Sequence, residues 1–204
     1  MKRHLLLLGA SGIGKTTLLL EELAGVSGHC AGFITQRLVK NEQTCGFCLT
    51  PMAVNLSPKV QYTSEKSGIF IEKTENGWRN NEKVFFSEGL ACLIGAEDKK
   101  FVVLDEIGGI ELTSPAFYLR LKELFLSETS CIGVLKSREN LDAMSAELGL
   151  NSECKRISSE FQSFLLDMTE TDFLPVTRDN IVEARKHIRA FITERINSNK
   201  QGEM

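Results

Sequence analysis

His4-Leu5-Leu6-Leu7-Leu8, then Gly9-Ala10-Ser11-Gly12-Ile13-Gly14-Lys15-Thr16-Thr17, then Leu18-Leu19-Leu20: in this order the stretch reads as an apolar strand, a glycine-rich loop and the start of an apolar helix. The loop satisfies G-x-x-x-x-G-K-[ST] in full, and each part of that pattern has a physical reason. Its glycines let successive backbone N–H groups turn inward as an anion nest. The helix begun by Lys15 adds unpaired amides and the positive end of its dipole. Lys15 brings a mobile ammonium to the β- and γ-phosphates, the Thr16 hydroxyl offers a ligand to Mg2+, and Thr17 is placed for the α-phosphate. An ordinary glycine-rich turn would leave Lys15 and Thr16 without a purpose. The sequence predicts that Gly9 to Thr17 bind a nucleotide.

Such a loop needs an acid for the metal, delivered from the carboxyl end of a buried strand. Phe101-Val102-Val103-Leu104 is a continuous apolar run, the pattern of a strand covered on both faces, and Asp105-Glu106 follow it directly. Asp105 is expected to position the metal and Glu106 to take a proton from an attacking water. Gly108-Gly109 leaves room for backbone near the phosphates, and Glu111 begins the approach to the next helix. Asp105 comes 89 positions after Thr16, too far for adjacent strands of a minimal β-α-β unit. A further strand should therefore stand between the two.

Outward from these two motifs, strands and helices alternate. Helical periodicity covers Phe85 to Ala96, and Ser114-Pro115 reads as an N-cap with a first-turn proline before Phe117, Leu121, Leu124 and Phe125. Cys131 to Leu135 is another buried strand, followed by a charged helix over Arg138 to Leu148. Phe173 to Val176 gives a last strand, and Ile181, Ala184, Ile188, Phe191 and Ile192 line a C-terminal helix behind Asp179. Between about residues 31 and 78, short β-like runs separated by Asn, Ser, Pro and Lys turns suggest a β-hairpin insert, read as an extension of the sheet. The expected fold is α/β: a three-layer α/β/α sandwich on a mostly parallel sheet, one domain over 1–196 with a solvated tail at 197–204.

Composition removes several function classes. With 24 Lys and Arg against 27 Asp and Glu, the 204-residue chain carries a net charge of −3 and offers no overall attraction for nucleic acid or anionic membranes. The early apolar run Leu5 to Leu8 is shorter than an export signal or a membrane span, so a cytoplasmic protein is expected. The six cysteines then stay reduced, and Cys45-Gly-Phe-Cys48 sits in a strand-like run without the second ligand pair that zinc needs. His4, His29 and His187 match no ligand or triad spacing, and Trp78 reads as a packing or loop residue. There is no N-K-x-D guanine-reading segment and no LSGGQ-like signature, and at this length an AAA-type lid domain is not expected.

Taken together, Gly9 to Thr17, Gly32-Phe33-Ile34-Thr35, Gly46-Phe47, Leu104-Asp105-Glu106-Ile107-Gly108, Glu111-Leu112 and Val176-Thr177 with Asn180 make the chain similar to the THEP-type nucleoside-triphosphatases. That resemblance spans most of residues 1–195. It implies a RecA-like core and Mg2+-dependent hydrolysis of ATP, GTP and other NTPs with modest turnover. The chain departs from the family pattern in two places: Gly109-Ile110 replaces a common Lys-Met, and Ile181 follows Asn180 where Arg is usual. Lys136 and Arg138 are available as cis cations but read more simply as solvated charges, and Arg178 is a weaker candidate. Competing readings are a nucleotide or small-metabolite kinase with the same phosphate cradle, and a nucleotide switch awaiting a partner. No residue pattern announces a base preference or a protein partner.

Overall fold

In the computed structural model, which describes residues 2–148 and 152–198, β1 (His4–Leu8) runs through the loop into α1 (Lys15–Leu23). The chain continues as β2 (Cys30–Lys40), β3 (Gln43–Pro51), β4 (Lys59–Gln61), β5 (Ile69–Thr74) and β6 (Gly77–Asn80). After a helical stretch comes β7 (Phe101–Ile107), then α2 (Pro115–Leu126), β8 (Cys131–Leu135), α3 (Arg138–Leu148), α4 (Ser152–Asp167), β9 (Thr171–Pro175) and α5 (Ile181–Asn197). Among the described residues these strands form one sheet in the order β6-β5-β3-β2-β7-β8-β1-β9, with β4 paired to β2. The pairs from β2 to β9 are parallel, whereas β3, β5 and β6 add on antiparallel.

Alternation along the strands builds two cores. Leu5, Leu7, Val103 and Ile132 face Leu18, Leu19, Ile188 and Phe191 of α1 and α5. Leu6, Val102 and Leu104 face the opposite way, against Phe117, Leu121 and Phe125 of α2 and Phe161 of α4. Helices thus cover both sides of the sheet, the expected three layers. As the spacing required, β8 separates β7 from β1.

Several local expectations shift. Cys30–Phe33 pair with Phe101–Leu104, so β2 starts as a strand of the parallel core and only its later part supports the insert. The helix expected from Phe85 to Ala96 occupies only 83–91, with Phe85–Gly89 widened to π geometry, and Gly95 at φ 65° turns the chain. Ser114 stands at the N-cap of α2 without a side-chain hydrogen bond. Asn180, not Asp179, is the residue before α5; its Oδ1 accepts from Thr177 N–H at 2.8 Å. α4 has no counterpart in the sequence pattern, because buried Ser158 interrupts the stripe of Cys154, Phe161 and Leu165. Beyond residue 198 the predicted tail lies outside the described residues. None of the helices described is long and apolar enough to cross a membrane.

Candidate nucleotide site

The loop closes on itself through its own lysine. Lys15 Nζ donates to the carbonyls of Gly9 (2.8 Å) and Ala10 (2.9 Å), which holds the loop in a ring at the head of α1. Gly12 and Gly14 have φ of 75° and 101°, backbone that an L side chain rarely adopts, and Gly9 fits because a Cβ there would sit 2.4 Å from Val176 O. Thr17 is exposed on the first turn.

Asp105 comes to this loop from across the sheet. It is 0% exposed, and Thr16 Oγ1 donates to its Oδ1 at 2.9 Å. Thr35 N–H donates to Oδ2 at 3.0 Å, and Thr35 Oγ1 to the Asp105 carbonyl at 3.3 Å. β2 and β7 last pair at Phe33 and Leu104, so the amide of Thr35 is free to turn onto the carboxylate. Burial, and then the neighbouring Glu106 charge, push the Asp105 carboxyl well above the usual carboxylate range. Thr16 and Asp105 together present hard oxygen atoms, the donor chemistry that fits Mg2+.

Consecutive strand residues ordinarily point to opposite faces, yet Glu106 lines the same cavity as Thr16. The register explains this. Leu104 pairs with Gly133 and Ile107 with Leu135, so β7 carries one residue more than β8 over that interval, and Glu106 takes up the difference at φ 58°. Such a bulge re-aims a side chain, and left-handed backbone at a non-glycine residue is strained. Glu111, expected only to lead into α2, is buried; its Oε1 accepts from Gly108 N–H and, at 2.7 Å, from Gly109 N–H.

The cavity has a volume of about 440 Å³ and runs from Ser11, Lys15 and Thr16 past Glu106 to the sheet extension. There Arg37 faces it, with Lys59 and Phe47 as its strand-paired neighbours. Arg37 shares a face with Thr35 two residues earlier, which is the signal that could have found it; the three-residue β4 that carries Lys59 leaves almost none. Lys136 corrects the reading of solvated charge. It is 5% exposed and lines the cavity, whereas Arg138 and Arg178 are exposed and do not. Cys45 and Cys48 are free thiols with pKa values raised by burial, the opposite of an activated pair.

A family model described as NTPase matches residues 4–160. The nucleoside-triphosphatase THEP1 of Methanosarcina barkeri is 28% identical over 171 residues, covering 82% of this chain and 90% of that protein. Its counterpart from Thermotoga maritima is 26% identical over 139 residues, 65% of this chain and 73% of the relative. Among solved structures, THEP1 from Aquifex aeolicus superposes with a TM-score of 0.63 at 19% identity, covering 91% of this chain and 96% of that one. A human cancer-related nucleoside triphosphatase gives a TM-score of 0.58 at 21% identity, over 98% of this chain and 100% of that one. These two likenesses concern the fold.

Proposed function

The chain belongs to the NTPase family, and from that membership we propose that it hydrolyses ATP, GTP or another NTP to NDP and phosphate, with Mg2+ held by Thr16 and Asp105. Bound there, the metal would supply positive charge to the β- and γ-phosphate oxygens. The amides from Gly9 to Thr17 receive the phosphate chain. Lys15 exchanges its loop carbonyls for phosphate oxygens. Glu106 orients a water and accepts its proton as the water oxygen bonds to the γ-phosphorus, while the bond to the β–γ bridging oxygen breaks and NDP departs with that oxygen. Little further covalent chemistry is required, since positioning and charge carry most of such a reaction.

The observation that supports this reading most is the 2.9 Å bond from Thr16 to Asp105, which joins loop and acid across 89 residues of sequence. Phosphate release from a panel of NTPs, measured with Mg2+ and with a chelator, tests it. Release only with the metal is expected; no release from any NTP refutes it.

A second reading, phosphoryl transfer to a bound acceptor, is favoured by the cavity's far wall. Arg37 and Lys59 line it beside Phe47 and Phe70, and neither cation has a hydrogen bond or ion pair among the described residues. Loss of ATP that depends on an added acceptor, rather than on water, would select it.

A further inference from the structure

A buried ammonium is costly unless an anion or hydrogen-bond acceptor compensates it. Lys136 is 5% exposed, and among the described residues its side chain has neither a hydrogen bond nor a carboxylate within 4.0 Å. Its backbone, by contrast, is fixed on both sides. Lys136 N–H donates to Ile107 O at 2.7 Å, and Lys136 O accepts from Gln162 Nε2 at 3.1 Å. The residue is therefore held beside the bulge that aims Glu106, at the strand end where Leu135 pairs with Ile107.

The position of the ammonium follows from a missing side chain. A Cβ on Gly109 would lie 2.7 Å from Lys136 Nζ and 3.3 Å from its Cδ, so the lysine reaches through the room that glycine leaves. Glu111 Oε2 would be 3.2 Å from the same point, so this buried carboxylate neighbours the ammonium without an ion pair within 4.0 Å, while its Oε1 takes the amides of Gly108 and Gly109. On its other side Lys136 lines the cavity it shares with Lys15, Thr16 and Glu106. Lys15 lies toward the loop carbonyls, and Lys136 enters from the β8 side of Glu106.

We propose that Lys136 is a cis catalytic cation for hydrolysis at this site, its ammonium binding the γ-phosphoryl oxygens as charge redistributes over them during attack by water. This assignment rests on the NTPase reading above and adds the residue that meets the γ-phosphoryl group opposite Lys15. The lysine forms no covalent bond and exchanges no proton; it donates hydrogen bonds to the phosphoryl oxygens. Gly109 is part of the device, because any side chain there displaces the ammonium.

Two variants test it. Lys136→Met keeps the aliphatic stem and removes the charge, so kcat should fall about 10²–10³-fold, the effect of losing one charge-stabilising donor. Affinity for Mg-ADP, which lacks the γ-phosphoryl group, should stay within about threefold, while capture of ADP with aluminium fluoride should be lost. Tm should change little, since the lysine side chain has no hydrogen bond or ion pair within 4.0 Å among the described residues to lose. Gly109→Ala retains the lysine but places a methyl 2.7 Å from Nζ, and should lower kcat about tenfold with KM nearly unchanged. Wild-type kcat in Lys136→Met overturns the assignment, as does an equal loss of Mg-ADP binding with a lower Tm, the pattern of a structural lysine. If Lys136→Met does not fold, Gly109→Ala decides alone, and wild-type kcat there is refuting. Phosphate release by the wild-type chain without effect of either variant removes only Lys136; no release by the wild-type chain removes the NTPase reading with it.

Discussion

Asp105→Asn should stabilise the metal-free protein while impairing nucleotide-dependent chemistry. The carboxylate is fully buried, has no ion pair within 4.0 Å among the described residues, and stands next to Glu106. Asparagine retains the shape and the bonds. Its carbonyl oxygen, placed where Oδ2 lies, accepts from Thr35 N–H; its NH2 then faces Thr16 Oγ1, which rotates from donor to acceptor. The substitution therefore removes charge without leaving a buried polar group unpaired. Removal of such a charge is worth about 1–3 kcal/mol, or about 2–4 °C in Tm for each kcal/mol in a chain of this size. The pH dependence gives the sign independently. Because the folded pKa of Asp105 is raised, its contribution to wild-type stability is fully present below the unfolded value of about 4 and is lost as pH rises through the folded value. The advantage of Asp105→Asn should thus be largest at neutral pH and vanish on acidification. Urea unfolding of both proteins in chelator from about pH 4 to pH 8 measures the difference. Saturating Mg-nucleotide should reverse the order, since binding at about 1,000 times Kd adds about 4.1 kcal/mol to the wild type. An asparagine variant less stable than wild type in chelator at neutral pH, or a gap independent of pH, would refute the reasoning.

Glu106→Gln should lower kcat about 10²–10⁴-fold while leaving Mg-nucleotide affinity within about threefold, and wild-type turnover would remove Glu106 as the base. His4 is held neutral, its pKa lowered to about 4 by burial first and the Arg3 charge second. Its contribution is present above 6.5 and lost as pH falls to about 4, a change of about 3 kcal/mol with the sign opposite to that of Asp105. His4→Phe should flatten that slope in urea unfolding, and an unchanged slope assigns it elsewhere. Gly133→Ala would place a Cβ 1.9 Å from Leu104 O, forcing β7 away from β8. A loss of about 1–3 kcal/mol is expected, with a fall in kcat under conditions where the variant is folded, because Asp105 follows Leu104. Normal stability and normal kcat together would show that the two strands can part without disturbing the site.

The parts of the site legible in sequence are those written locally. His4 to Thr17 and Phe101 to Glu106 each hold a strand and its candidate site residues in one continuous stretch, and the distance between them required an intervening strand, which is β8. What escaped depends on other segments. Lys136 reads as a solvated lysine because its burial is created by the absent side chain of Gly109, 27 residues earlier and on a different strand end. Arg37 and Lys59 become neighbours only through the register of β2 and β4. Ser158 breaks the apolar periodicity of α4 although its position is buried, so polarity conceals a helix that packing stabilises.

The bulge in β7 links these observations. A regular strand turns Asp105 and Glu106 to opposite faces, whereas the proposed hydrolysis needs Asp105 bonded to Thr16 and Glu106 in the cavity that Thr16 lines. One additional residue against β8 solves the geometry at the cost of left-handed backbone at Glu106. It also ends the regular pairing beside Leu135, where Lys136 N–H reaches Ile107 O and the lysine turns into the cavity. Glu111 then fastens the far side of the bulge by taking the amides of Gly108 and Gly109. The strained backbone of Glu106 and the turn of Lys136 into the cavity are therefore consequences of one backbone irregularity. In the proposed hydrolysis a metal-bound triphosphate offsets both the strain at Glu106 and the buried charges of Asp105 and Lys136, so the ligand should stabilise this chain by more than its contacts with the phosphate loop alone provide.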